Sequence, residues 1–288
     1  MAERDDSHGV RLLNTWMRIL LYAASLLVFL AGFQLFVLTE QTATYFAWTV
    51  LPPLTAASLG AAYWSAVPVE FLAARQRHWA KARIAVPAVW TFTTLTLVVT
   101  LVHVDRFHFS SPDPIPRAAA WFWLAIYAGV PVAMLVAALV QRRTPGGDPP
   151  REKRLPAWFR IALLVEGGGM AVAGLSLFLV PGNALVVWPW TLTLLTARAI
   201  GAWLLGNAVI TFHALWEDDL LRLRPVGSGF TLFALFALVA LARYSGEANW
   251  GGPGTWIYVA FLASLLPIGL YAWFGPDLRA PLSRHAAG

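Results

Sequence analysis

Residues 158–180 read WFRIALLVEGGGMAVAGLSLFLV, an apolar run long enough to cross a bilayer core of about 30 Å as a helix, which takes roughly 20 residues. It carries one acidic residue, Glu166, beside the triplet Gly167, Gly168 and Gly169. Both ends of the run occur earlier in the chain. WFRIAL at 158–163 matches WMRILL at 16–21, and AGLSLF at 173–178 matches AGFQLF at 31–36. A third pair, LTARAIGAW at 195–203 and LTAASLGAA at 54–62, follows in the same order at nearly the same offset, and TFTTLTLV at 91–98 resembles FTLFALFALV at 230–239 more loosely. Apolar stretches match each other easily, but ordered matches at a near-constant offset are the mark of an internal repeat.

Seven further runs have the length and apolarity of a span. The expected set is 17–38, 47–73, 85–104, 118–140, 158–180, 188–214, 227–244 and 254–274. The fold class this predicts is all-α: a polytopic transmembrane bundle of eight spans. Because four spans return the chain to its starting side, the two copies are parallel rather than inverted. The expected units are 1–141, a Pro/Gly/Arg-rich linker at 142–157, and 158–288. The linker core, RRTPGGDPPREKR at 142–154, reads as a flexible join. No apolar run alternates with period two over the length of a barrel strand.

Composition agrees with a membrane protein. Hydrophobic residues make up 58% of the 288 and charged residues 12%, half the usual charged share of about 25%. The formal charge of +6 sits in short clusters between apolar runs, which points to membrane orientation and away from nucleic acid. The N-terminal side, the 2–3 loop, the linker and the segments after spans 6 and 8 hold seventeen Lys and Arg; Arg4, Arg83, Arg222, Arg279 and Arg284 are among them. Only Arg106, Arg117 and Arg243 face the other way. Lys and Arg favour the cytoplasmic side, so both termini are expected there, in a bacterial-type inner (plasma) membrane. The first apolar stretch reads as a retained helix, since acidic residues 3, 5 and 6 precede it and no small-residue cleavage site follows.

The chain has no cysteine, which excludes disulfides, thiolate metal sites and cysteine nucleophiles. It also lacks a Walker A signature, which disfavours an ATP-driven pump. His103 and His213 fall near opposite surfaces, so bis-histidine haem ligation is disfavoured too. Neither a cofactor nor a metal is assigned.

Charges within spans are costly and mark pairs or polar pathways. Glu166 stands where the first copy has Ala24, and Arg198 where it has Ala57. Counted inward from opposite sides, the two reach similar depth, so geometry allows a pair near mid-membrane, either as a fixed interhelical contact or as a site for a solute. Thr193 and Thr196 lie beside Arg198 and either line that site or bond back to the preceding turn. At the outer end of span 3, HVDRFHF at 103–109 offers His103, Asp105 and His108 as acid–base groups. Trp48, Trp188 and Trp190 read as interface anchors. His213, Glu217, Asp218 and Asp219 read as a solvated helix end neutralised by Arg222 and Arg224.

Three functions follow from these residues. The first is a small-solute or ion pathway between the repeats, lined by Glu166, Arg198, Thr193 and Thr196. The second is a membrane enzyme acting on lipid at the outer face through His103, Asp105 and His108. The third is a non-catalytic subunit of a larger complex. Membrane lipids are the expected partners in each case, with homo- or hetero-oligomers within the bilayer left open.

Overall fold

The computed structural model describes residues 9–184, 187–275 and 277; Arg4, Arg279, Arg284 and the acidic start of the chain lie outside them. Eight long helices carry the fold: α1 (Thr15–Phe36), α2 (Pro53–Arg75), α3 (Ala85–Val102), α4 (Pro114–Arg142), α5 (Ala157–Leu179), α6 (Leu194–Glu217), α7 (Arg224–Arg243) and α8 (Pro253–Phe274). Among the described residues there is no strand. Seven of the eight are long and apolar enough to cross a membrane, α7 together with the turn Leu220–Leu223 that leads into it. The chain has the make-up of a multi-pass membrane protein.

The helix missing from the seven is α2. It has the length, 23 residues, but Thr55, Ser58, Ser65 and Glu70 dilute its apolarity. Its position explains why this is tolerated. Fourteen of those 23 residues are buried, so α2 meets mainly other helices. α1 packs along one side of it and α7 along another.

Helix starts are set by local chemistry. Asn14 caps α1 by accepting from the Met17 amide at 2.7 Å, and its own amide donates to Gln141 Oε1 at 2.8 Å. Asp113 caps α4, with Pro114 in the first turn, where its missing N–H costs nothing. The N-terminus of α2 is capped from afar, since the Leu54 amide donates to Glu247 Oε2 at 2.7 Å.

Two expected boundaries are corrected. The second and sixth helices begin at Pro53 and Leu194, not at 47 and 188. The segments before them are apolar but irregular, and their aromatic rings fill the interior. Trp48 packs edge-on against Trp123 at 4.9 Å, and Trp190 packs edge-on against Tyr258 at 5.4 Å. Both tryptophans are 3% exposed, so they are core residues and not interface anchors. The linker at 142–157 is also tied down: the Arg11 amide donates to Gly147 O at 2.9 Å and the Gly147 amide to Gly9 O at 3.1 Å.

The helix pairings repeat in order. α1 lies on α2 and α5 on α6; α3 lies on α4 and α7 on α8; α2 crosses to α7 and α6 crosses to α3. Glycine makes the first of these pairings close. A Cβ on Gly60 would come within 2.6 Å of the Phe36 amide nitrogen, and one on Gly201 within 2.9 Å of that of Phe178. These four residues lie in the matched segments AGFQLF/AGLSLF and LTAASLGAA/LTARAIGAW.

The halves differ in how α1–α4 and α5–α8 are filled. Between α1 and α4, Tyr63 and Tyr127 meet through their hydroxyls at 2.6 Å and Trp123 packs at a tilt on Tyr127 at 4.3 Å. Met17, Leu21 and Met134 close the other end. Between α5 and α8 a cavity of about 620 Å³ remains.

Candidate functional site

The cavity is walled by α5 and α8, floored by α2 and α6, and closed at one end by the segment Val187–Trp190. Its surface is apolar and aromatic, with Met170, Trp188, Trp190, Trp203, Phe233, Tyr258 and Phe261 in the walls. Val165, Gly169, Ile257, Ala260 and Ser264 line it and are themselves exposed. It therefore opens sideways between α5 and α8, through a rim with no charged side chain.

Among the described residues Glu166 is the one charged side chain in this lining. It is only 8% exposed, and its Oε1 accepts a hydrogen bond from Ser264 Oγ on α8 at 2.6 Å. The glycine triplet beside it divides its tasks. A Cβ on Gly167 would sit 3.1 Å from Thr211, so this residue lets α5 approach α6. Gly168 and Gly169 would meet nothing within 4 Å, and Gly169 supplies part of the cavity's space.

Arg198 is elsewhere, and the expected pairing with Glu166 is corrected. Because α6 starts at Leu194, Arg198 stands in its first turns and not ten residues deep. Its Nε donates to Phe178 O at 3.2 Å, an orphan carbonyl at the end of α5, and its Nη1 lies 2.8 Å from His103 Nε2. The other half satisfies the corresponding carbonyl with a different arginine, as Arg243 Nη1 donates to Phe36 O at 2.8 Å. Both guanidiniums bond helix ends. A small cavity of about 70 Å³ lies between the halves, where a pathway was expected. Glu70 lines it, buried, with no partner for Oε2; sequence reading passed it over because nothing nearby in the chain flagged its burial.

Thr193 and Thr196 form a reciprocal cap at the start of α6. The Thr196 amide donates to Thr193 Oγ1 at 3.2 Å and the Thr193 amide to Thr196 Oγ1 at 3.0 Å. Their hydroxyls serve the backbone. Neither lines the large cavity.

His103, Asp105 and His108 do not share a pocket. His103 faces Arg198; Asp105 pairs with its neighbour Arg106 at 3.0 Å on the surface; His108 spans Thr49 Oγ1 and Phe46 O, each at 3.1 Å. No group of three His, Asp or Glu among the described residues is placed to hold a metal.

The His103 imidazole, just beyond α3, is held below its ordinary pKa by burial and then by the Arg198 guanidinium. The neutral ring is the form that accepts from Arg198. A ring neutral in the fold but free to protonate when unfolded stabilises the protein above about pH 6.5, and that contribution fades as pH falls. The melting temperature should therefore drop more between about pH 7 and pH 5 in the wild type than in His103→Gln, whose carbonyl accepts at either pH. Equal drops would contradict the contact.

A second polar centre lies at the opposite end of the bundle, and it is not a solvated helix end. Glu217 is 0% exposed. It pairs with Arg83 from the segment before α3, with Arg222 Nη1 at 2.8 Å and with His213 Nε2 at 3.3 Å. Asp219 accepts from Arg222 Nε and from the Lys153 amide, both at 3.2 Å. Arg151 Nε donates to Glu217 O at 2.8 Å, and Arg222 Nη2 to Pro149 O at 2.7 Å. The linker is thereby clamped to the end of α6. Glu217, Asp219 and Arg222 were visible in the sequence as neighbours. Arg83 and the linker carbonyls, which make burial tolerable, are far away in it.

No family model, no curated protein and no solved structure matches this chain.

Proposed function

We propose that the chain crosses the membrane eight times as two parallel four-helix units, 1–141 and 158–288, with both termini on the cytoplasmic side. Support comes from the ordered helix pairings, from the Gly60–Phe36 and Gly201–Phe178 approaches inside the matched segments, and from the bias of Lys and Arg to one side. In this reading one unit has filled the gap between its first and fourth helices, and the other has kept it open.

The function that fits this asymmetry is binding of a small lipid-soluble solute between α5 and α8, as a step in its transport. The observation that carries it is a cavity of about 620 Å³ holding one deeply buried carboxyl. Pockets for drug-sized ligands span about 300–1,000 Å³ and combine apolar walls with a few polar contacts. An ionisable residue placed mid-span is a functional candidate by default, and Glu166 is the tenth of 23 residues in α5. Arg198, Thr193 and Thr196 act in this account by fixing the outer end of α6. The enzyme reading draws less support, because His103, Asp105 and His108 have separate partners.

Gly169→Phe tests the reading. The substitution projects into open space, so the fold should tolerate it while the ring takes up the cavity. With the protein in lipid nanodiscs and a set of neutral, cationic and anionic lipophilic dyes, saturable binding by the wild type should fall at least tenfold in the variant. No saturable binding by the wild type, or unchanged binding by the variant, would remove the cavity from the account and favour a subunit role.

A further inference from the structure

Resting on that reading, we infer that the α5–α8 cavity selects lipophilic organic cations. The juxtaposition behind this is a single carboxyl facing a box of aromatic rings. Glu166 enters from α5, and Trp188, Trp190, Trp203, Tyr258 and Phe261 surround the same space. Trp188 and Trp190 stand edge to face at 5.4 Å, and Trp190 meets Tyr258 in the same manner at 5.4 Å.

An aromatic face carries negative potential and attracts a cation lying over it, more strongly where water is excluded. A carboxylate in the same low-dielectric space adds a full negative charge, whose attraction for a cation is far stronger there than in water. Among the described residues no Lys, Arg or His lines the cavity, so none of their cations occupies that place. Ser264 donates to one oxygen of Glu166, which orients the carboxyl and leaves it without a counter-charge. An anion of the same size meets repulsion from the carboxylate. A neutral molecule gains burial alone. The uncharged sideways opening sets the second requirement: the occupant must be soluble in the bilayer core, which a delocalised or shielded cation satisfies and a compact ammonium does not.

Tetraphenylphosphonium and tetraphenylborate are matched in shape and opposite in charge, and neutral tetraphenylsilane serves as the uncharged member. Binding of each is measured to the protein in nanodiscs of neutral lipid, with empty nanodiscs subtracted. Tetraphenylphosphonium should bind saturably and at least tenfold more tightly than the silane. Tetraphenylborate should show no saturable binding. Glu166→Gln should bring the phosphonium to the level of the silane, and Ser264→Ala should weaken it less. If the three bind alike, or if Glu166→Gln leaves the preference intact, charge selection is wrong while the cavity still binds ligands. If none binds, the cavity reading fails with it. Thermal melting of each variant separates lost binding from lost folding.

Discussion

Arg222→Ala should lower stability by about 3–5 kcal/mol, the cost of breaking a buried ion pair from one side, and the melting temperature on the order of 10 °C. Arg222 is 3% exposed and bonds Glu217, Asp219 and the Pro149 carbonyl at once. Its removal leaves two buried carboxylates short of a partner and a carbonyl unsatisfied. The effect should be smaller in a Glu217→Gln background, because the uncompensated charge is then gone, and the difference between the two costs measures the coupling. A surface pair supplies the control. Lys81 and Glu152 are 3.4 Å apart with both side chains partly exposed, so Lys81→Ala should shift stability by less than about 1 kcal/mol. If Arg222→Ala were as mild as Lys81→Ala, the buried clamp between linker and bundle would not exist.

Gly60→Ala should cost about 3 kcal/mol, at the upper end of overpacking effects, and Gly201→Ala a similar amount. The added methyl on Gly60 meets the backbone of Phe36 and Leu35 at 2.6–2.9 Å, and backbone within a packed helix cannot swing aside as a side chain can. The α1–α2 crossing must widen, and with it the interior that Trp64 and Phe36 share. Gly168→Ala is the matched control. Its methyl meets nothing within 4 Å, and replacing glycine by alanine inside a helix gains up to about 1 kcal/mol. Thermal melting of the three variants in one detergent checks the ranking; a Gly60→Ala protein as stable as Gly168→Ala would refute the close crossing.

The close glycine approaches fall inside the matched segments that the sequence shows. AGFQLF and LTAASLGAA meet at Phe36 and Gly60, and AGLSLF and LTARAIGAW meet at Phe178 and Gly201, so the glycines and phenylalanines of these segments are held by contact with each other. Seven of the eight expected runs form helices long and apolar enough to span, and these were legible for the simpler reason that bilayer thickness fixes run length. Helix starts at Pro53 and Leu194 were not, because the irregular segments before them are as apolar as the helices they precede. That error carried Arg198 to the wrong depth and suggested the wrong partner for Glu166. Glu166 itself was legible as the lone acid in an apolar run. The cavity was not, since its volume depends on Gly169 of α5 facing small residues of α8, and nothing local encodes which helix α5 will face. Burial of Glu217 was hidden likewise, as its compensation arrives from Arg83 and from the linker, 134 and 66 residues away.

The most direct test of the cavity is photolabelling with a lipophilic cation bearing a diazirine, the protein held in nanodiscs and the adducts mapped by peptide mass spectrometry. Labelling should concentrate on Met170, Trp188 and Tyr258, which line the cavity behind its rim, should be displaced by tetraphenylphosphonium, and should be lost in Gly169→Phe. Adducts spread over outward-facing Ile161, Leu164 and Val172, undisplaced and unchanged in the variant, would mean the reagent met the protein only from bulk lipid, and would contradict the account.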